Sequence, residues 1–265
     1  MTGTQLLALV AVFFLTSGVS VVTGSTSVIT VPAMFQFGID ARVAVATNMF
    51  ALTLMSIGGT LPFLRPSVMN RRRLPLLVVL TLVGSAAGAF LLLVIPSKAI
   101  PIVVSIAVIG VASFSMVYRR AVVDPSPLLP SRSLETVGYV ATFLLGIYGG
   151  LFSGGYVTIL TAVFVATFRM TFIEAVATTK LINIFSSGIA AGIFMWRDLV
   201  DYRLGAMLGI TMFVGALLGA RFARRLGNLW IRRIYLGVVW LLGLKTLLFD
   251  LPNQSYRTVK RLTVP

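Results

Sequence analysis

The side chains of this chain that could bind or react gather in two stretches of matching design. From Gly146 to Asn183 an apolar segment breaks at Gly149, Gly150, Gly154 and Gly155, resumes, turns at Arg169 to Thr171, and starts a second long segment carrying Thr178, Thr179, Lys180 and Asn183. Ser153 and Tyr156 stand in the break itself. The other stretch holds Thr23-Gly24-Ser25-Thr26-Ser27 and, further on, Thr47 and Asn48. Hydroxyl and amide groups at such breaks offer hydrogen bonds without fixed charge. The backbone N–H groups where a helix resumes add the positive end of its dipole. That combination suits an anion. The candidate binding set is Thr23, Gly24, Ser25, Thr47, Asn48, Ser153, Gly154, Gly155, Tyr156, Thr178, Thr179, Lys180 and Asn183. Any one of these hydroxyls can equally cap the break and bond back one turn.

Lys180 stands apart, because it lies about two turns inside an apolar segment, where an ionisable residue is costly and marks a functional position by default. Its alternative is to snorkel to the interface. Lys245, near the end of the last apolar run, fits snorkelling better, and Glu174, at the start of its segment, complements the helix dipole. The seven acidic residues all lie at or near segment ends, so no carboxylate is placed to carry Na⁺ or H⁺ through the middle. The absence of His and Cys removes thiolate chemistry, disulfides, haem held by His and the usual zinc sites. No cofactor and no metal site are expected.

The elements that must position these residues are membrane helices. Hydrophobic residues make up 58% of the 265, and apolar runs near 5–23, 43–64, 74–95, 100–118, 134–152, 172–195, 204–222 and 234–249 are each long enough to span a bilayer core. In hydrocarbon only helices or closed barrels satisfy their own backbone, and continuous apolar runs exclude the alternating strands of a barrel. The formal charge of +15 sits in connections and at segment ends, Lys180 and Lys245 excepted, which is topology-setting charge rather than a nucleic-acid surface.

The two stretches are copies. At a constant offset of 131, Gly18 falls on Gly149, Gly24 on Gly155, Thr30 on Thr161, Ser56 on Ser187, and Gly84, Gly88 and Ala89 on Gly215, Gly219 and Ala220. The expected architecture is an all-α polytopic membrane protein of two homologous halves, each opening with a glycine-broken or re-entrant helix pair followed by three spanning helices. The boundaries are a first transmembrane repeat at 1–120, a linker at 121–133, a second repeat at 134–250 and a basic C-terminal tail at 251–265. If each broken segment returns to the side it entered, thirteen Lys and Arg positions (65, 71–73, 119, 120, 132, 169, 221, 224, 225, 232 and 233) share one side against four (42, 98, 197 and 203) on the other. That positive-inside bias implies inverted-topology repeats, with Arg257, Lys260 and Arg261 of the tail falling on the sparser side.

Glycine-rich breaks, a Pro-bearing short arm, and the run Ala44-Val45-Ala46-Thr47 repeated as Ala175-Val176-Ala177-Thr178 resemble the sulfite exporter TauE/SafE family, also called the four-toluene sulfonate uptake permease family. The resemblance covers about Gly18 to Leu248. It implies a multi-pass carrier of the bacterial or archaeal inner membrane for a small sulfur-containing anion such as sulfite, thiosulfate or an organosulfonate, working by alternating access around two opposed broken helices. The implied partners are that anion and the lipid bilayer, without nucleic acid, and a homo-oligomer is compatible. The alternatives are a non-transporting membrane assembly or scaffold subunit and an intramembrane enzyme; the lack of His, Cys and a midplane carboxylate pair weighs against the enzyme.

Overall fold

A computed structural model of the chain describes residues 3–24, 26–63, 72–117 and 131–245, and every regular element among them is helical. Ser25, the residues 64–71 with part of the first Arg cluster, most of the expected linker and the basic tail lie outside the described residues, as do the side chains of Thr23 and of 224–245. The helices are α1 (Gly3–Thr23), α2 (Ser27–Gln36), α3 (Ala41–Thr60), α4 (Leu74–Val94), α5 (Ile100–Val117), α6 (Arg132–Leu151), α7 (Tyr156–Phe168), α8 (Phe172–Trp196) and α9 (Tyr202–Lys245). Among the described residues six of them, α1, α3, α4, α6, α8 and the start of α9, are long and apolar enough to cross a membrane.

Local sequence explains where these helices start and stop. Asp40 caps α3 by accepting from the Arg42 and Val43 amides at 2.9 and 3.2 Å. Thr171, its counterpart at the offset, caps α8 in a reciprocal box: the Glu174 carboxylate accepts from the Thr171 amide at 2.7 Å, and the Thr171 hydroxyl accepts from the Glu174 amide at 3.3 Å. Glu174 therefore has the structural role its position suggests. The breaks use left-handed backbone, with Gly24 at φ 72° and Gly155 at φ 74°, and Ser153 also at φ 61°. Glycine adopts that region without the steric cost a Cβ imposes.

One expectation is corrected. The gap between the apolar runs 204–222 and 234–249, which carries Arg224 to Arg233 and implies a loop, is not one: the backbone of α9 is one helix of 44 residues. At 1.5 Å per residue that is about 66 Å, twice a hydrocarbon core, and its membrane-length apolar part is Tyr202–Ala223. Four Arg and six Leu stand among the 22 residues after Ala223, and both types favour helix intrinsically. Charge alone does not break a helix, which is why reading a basic cluster as a loop failed here.

The halves exchange partners. A Cβ at Gly215 or Gly219 of α9 would strike Phe14, Ser17 or Gly18 of α1, and one at Gly84 or Gly88 of α4 would strike Phe143 or Ile147 of α6. Backbones touch at both seams because small residues allow it. Contacts advance in the same sense along each pair, so α1 runs parallel to α9 and α4 parallel to α6. Between the seams lie α3 and α8, the two most buried spans. They are antiparallel: Asn183 meets Ser56 at 2.6 Å, whereas Gly188 lies on Thr53. Leu7, Leu15, Val83, Val140, Leu144, Ile210 and Leu218 point outward from the flanking helices.

Polar ties close both ends. At one, Arg73 pairs with Glu135 of α6, donates to the Phe168 carbonyl at the end of α7, and lies 5.4 Å over the Phe168 ring. At the other, Arg42 donates to the Ile95 carbonyl at 2.5 Å, and the Asp201 amide donates to the Thr47 hydroxyl at 3.0 Å.

Candidate functional site

The two breaks meet. A Cβ placed on Gly24 would lie 2.8 Å from the Thr158 amide and the Val157 side chain, so the end of α1 rests on the first turn of α7, directly after Gly155. Gly155 caps that turn without a side chain, and its missing Cβ leaves room for Val111 of α5. Ser153 and Gly154 are held in place by backbone: the Tyr156 amide donates to the Ser153 carbonyl at 3.2 Å, and the Tyr148 hydroxyl donates to the Gly154 carbonyl.

Lys180 reaches this junction from the other half. It is 2% exposed, and its Nζ donates to the Ser20 carbonyl of α1 at 3.0 Å. The same carbonyl accepts from the Gly24 amide at 2.7 Å. The ammonium thus sits at the C-terminal, negative end of α1, inside the protein rather than at an interface, and snorkelling does not describe it. No Asp or Glu is among the buried described residues. An ammonium has three donors, and the described structure engages one.

Asn183, one turn on along α8, donates from Nδ2 to Ser56 at 2.6 Å while its Oδ1 is buried without a partner. Thr178 is buried with its hydroxyl unpartnered. Tyr156 is fully buried and its OH also lacks a partner. Its OH is within reach of the Thr81 and Ser186 hydroxyls, with no hydrogen bond of regular geometry to either.

Other candidates are already engaged. Thr47 receives the Asp201 amide near one end of the bundle, away from the junction. Asn48 accepts from Thr30 at 2.8 Å and donates to Ser27 at 2.9 Å, bracing α2 on α3. Thr179 meets Thr161 at 3.1 Å and bonds to the Val176 carbonyl, bracing α7 on α8 at the position that the offset matches to Thr30–Asn48. These three have partners that the fold itself supplies. Thr23 ends α1, but its side chain, like Ser25, lies outside the described residues.

Residues that the sequence reading passed over are Ser20, whose contribution is a carbonyl and leaves no side-chain signature, and Thr81, Ser85 and Ser186. Ser85 donates to the Gly146 carbonyl at 3.1 Å and meets Ser186 at 2.7 Å. The signal for Thr81 and Ser85 was their spacing of four in an otherwise apolar helix, on one face.

The sequence model of the family described as sulfite exporter TauE/SafE matches residues 9–246. A probable membrane transporter protein ORF9 of a Sinorhizobium species is 25% identical over 219 residues, 81% of each chain. A probable membrane transporter protein of Haemophilus influenzae is 26% identical over 87% of this chain and 90% of its own. The probable membrane transporter protein YfcA of Escherichia coli K12 is 25% identical over 88% of this chain and 86% of its own. No solved structure matches.

Proposed function

Because the chain belongs to the sulfite exporter TauE/SafE family and is a multi-pass membrane transporter, we propose that it carries a small sulfur-containing anion such as sulfite, thiosulfate or an organosulfonate. The observation that carries the reading is the meeting of both breaks beside Lys180, a buried cation with no buried carboxylate among the described residues. A charge taken out of water needs a counter-charge. An arriving anion supplies one, and the first turn of α7 adds the positive end of a helix dipole.

The two halves are read as inverted repeats with the site between them, so that rocking one half against the other exposes the junction alternately to each face. Three observations support this. The matched helices α3 and α8 cross antiparallel. Arg73 ties the starts of α4 and α6 to the end of α7 at one end of the bundle, beside Arg169. Arg42, Ile95 and Asp201 gather at the other. This is the grouping in which basic residues collect on one side.

Counterflow in reconstituted vesicles with labelled sulfite, thiosulfate and a sulfonate panel tests the proposal. Saturable exchange of at least one of these anions is expected. Vesicles no leakier than protein-free controls for all of them would overturn it.

A further inference from the structure

We infer that the hydroxyls of Thr81 and Tyr156, flanked by Ser85 and Ser186, form a charge-free subsite that receives oxygen atoms of the transported anion; the inference rests on the anion reading above. Four helices build it. Thr81 and Ser85 come from α4, Tyr156 from the first turn of α7, Ser186 from α8, and Gly149 of α6 lets them approach: a Cβ there would lie 3.0 Å from the Tyr156 ring and 3.2 Å from Ser186 Oγ. All four side chains are at most 1% exposed.

Proton accounting shows what is missing. With Ser85 donating to the Gly146 carbonyl, Ser186 donates to Ser85, and both of those protons are used within the fold. The Thr81 and Tyr156 hydroxyls lie within reach of each other but make no hydrogen bond of regular geometry among the described residues. Buried polar groups are nearly always satisfied, and leaving one unmade costs the full desolvation penalty. Two neighbouring exceptions, both able to donate, call for a guest that brings acceptors.

The duplication supplies an internal control. At the constant offset, Thr81 corresponds to Met212, Ser85 to Ala216 and Ser186 to Met55. All three counterparts are buried in the apolar core. The fold therefore closes around apolar side chains at these positions in one half and places hydroxyls there in the other. The paired polar contacts that brace the short helices behave differently, since Thr30–Asn48 and Thr161–Thr179 occur in both halves. What recurs belongs to the scaffold, and the hydroxyls of Thr81, Ser85 and Ser186 occur once, while Tyr156 falls on Ser25, outside the described residues. No charged residue enters this cluster, so the anion's charge is met elsewhere, at Lys180 on the same helix α8, and the hydroxyls select for oxygen acceptors.

The test uses the full-length protein in lipid nanodiscs, with methanesulfonate as probe and thiocyanate as an anion of the same charge without oxygen. Thr81→Val preserves shape and Tyr156→Phe preserves the ring. Each is expected to weaken methanesulfonate binding about tenfold, the loss of one hydrogen bond to a charged acceptor, with thiocyanate affinity unchanged. Each should also leave the melting temperature of the ligand-free protein equal or higher, because an unsatisfied buried hydroxyl has been removed. Unchanged methanesulfonate binding in both variants, while wild type binds it, overturns the subsite and leaves the anion reading standing. A lower melting temperature with parallel losses for both anions also overturns it, since that is how a packing role behaves. If wild type binds neither methanesulfonate, sulfite nor thiosulfate, both readings fall.

Discussion

Lys180 is marked in the sequence by its depth, and the structure supplies its partner. Depth within an apolar run flagged it, but its acceptor is a main-chain carbonyl from the other half, and no pattern of side chains announces that contact. At the matching position of the other half the offset places Met49, buried and uncharged. Lys180→Met is therefore expected to stay folded and to weaken anion binding by roughly 1–3 kcal/mol, the scale of a hydrogen bond to a charged group. Lys180→Arg should keep part of the affinity, since it keeps the charge while changing its geometry. Binding to purified protein decides it: an unchanged dissociation constant for the Met variant removes Lys180 from the site. Thr47 and Asn48 show the opposite outcome. Their residue types and their place after the break matched those of Thr178 and Thr179, yet Thr47 is taken by the Asp201 amide and Asn48 by Thr30 and Ser27. Sequence reveals which groups can bond and leaves open which are already bonded.

At the scale of elements, glycine, proline and capping residues were the most informative letters. The short arms were readable because a polar, glycine-bearing break must begin a new helix, and α2 and α7 run from Ser27 to Gln36 and from Tyr156 to Phe168. Gly24 carries two constraints at once, a left-handed φ of 72° and a backbone neighbour 2.8 Å from any added Cβ. Gly24→Ala should abolish exchange in vesicles while the protein still inserts, whereas Gly192→Ala, in open space on α8, should exchange at the wild-type rate. Exchange by both at equal expression would reduce Gly24 to a packing contact. The capping box of α8 gives a second check. Thr171→Ala removes the acceptor for the Glu174 amide and should lower stability by about 1 kcal/mol, read as a lower melting temperature in detergent with the dissociation constant for the anion unaltered. The helix continues past Ala223 where the basic residues suggest a connection, because Arg prefers helix intrinsically.

For the whole molecule, the offset of 131 foretold which helices correspond, and it could not foretell that they interlock. Small-residue spacing in α4 and α9 signals close packing without naming the partner. In the fold α4 pairs with α6 and α9 with α1, each helix with one from the opposite half. That exchange is what brings a lysine of the second half to a break in the first. It also fixes which connections share a face. Ser131 before α6 and Arg169 after α7 lie with Arg73 at one end, and Lys98 and Asp198 lie with Arg42 and Asp201 at the other. All four of these connection positions are exposed, and the chain has no cysteine of its own. Single cysteines at Ser131 and Arg169 should therefore resist an impermeant thiol reagent applied to intact cells and react once the membrane is opened, because the side rich in Lys and Arg faces the cytoplasm. Cysteines at Lys98 and Asp198 should react from outside. If Ser131 and Arg169 report opposite sides, α7 crosses instead of returning, the halves are parallel repeats, and alternating access about a shared midplane junction loses its geometric basis.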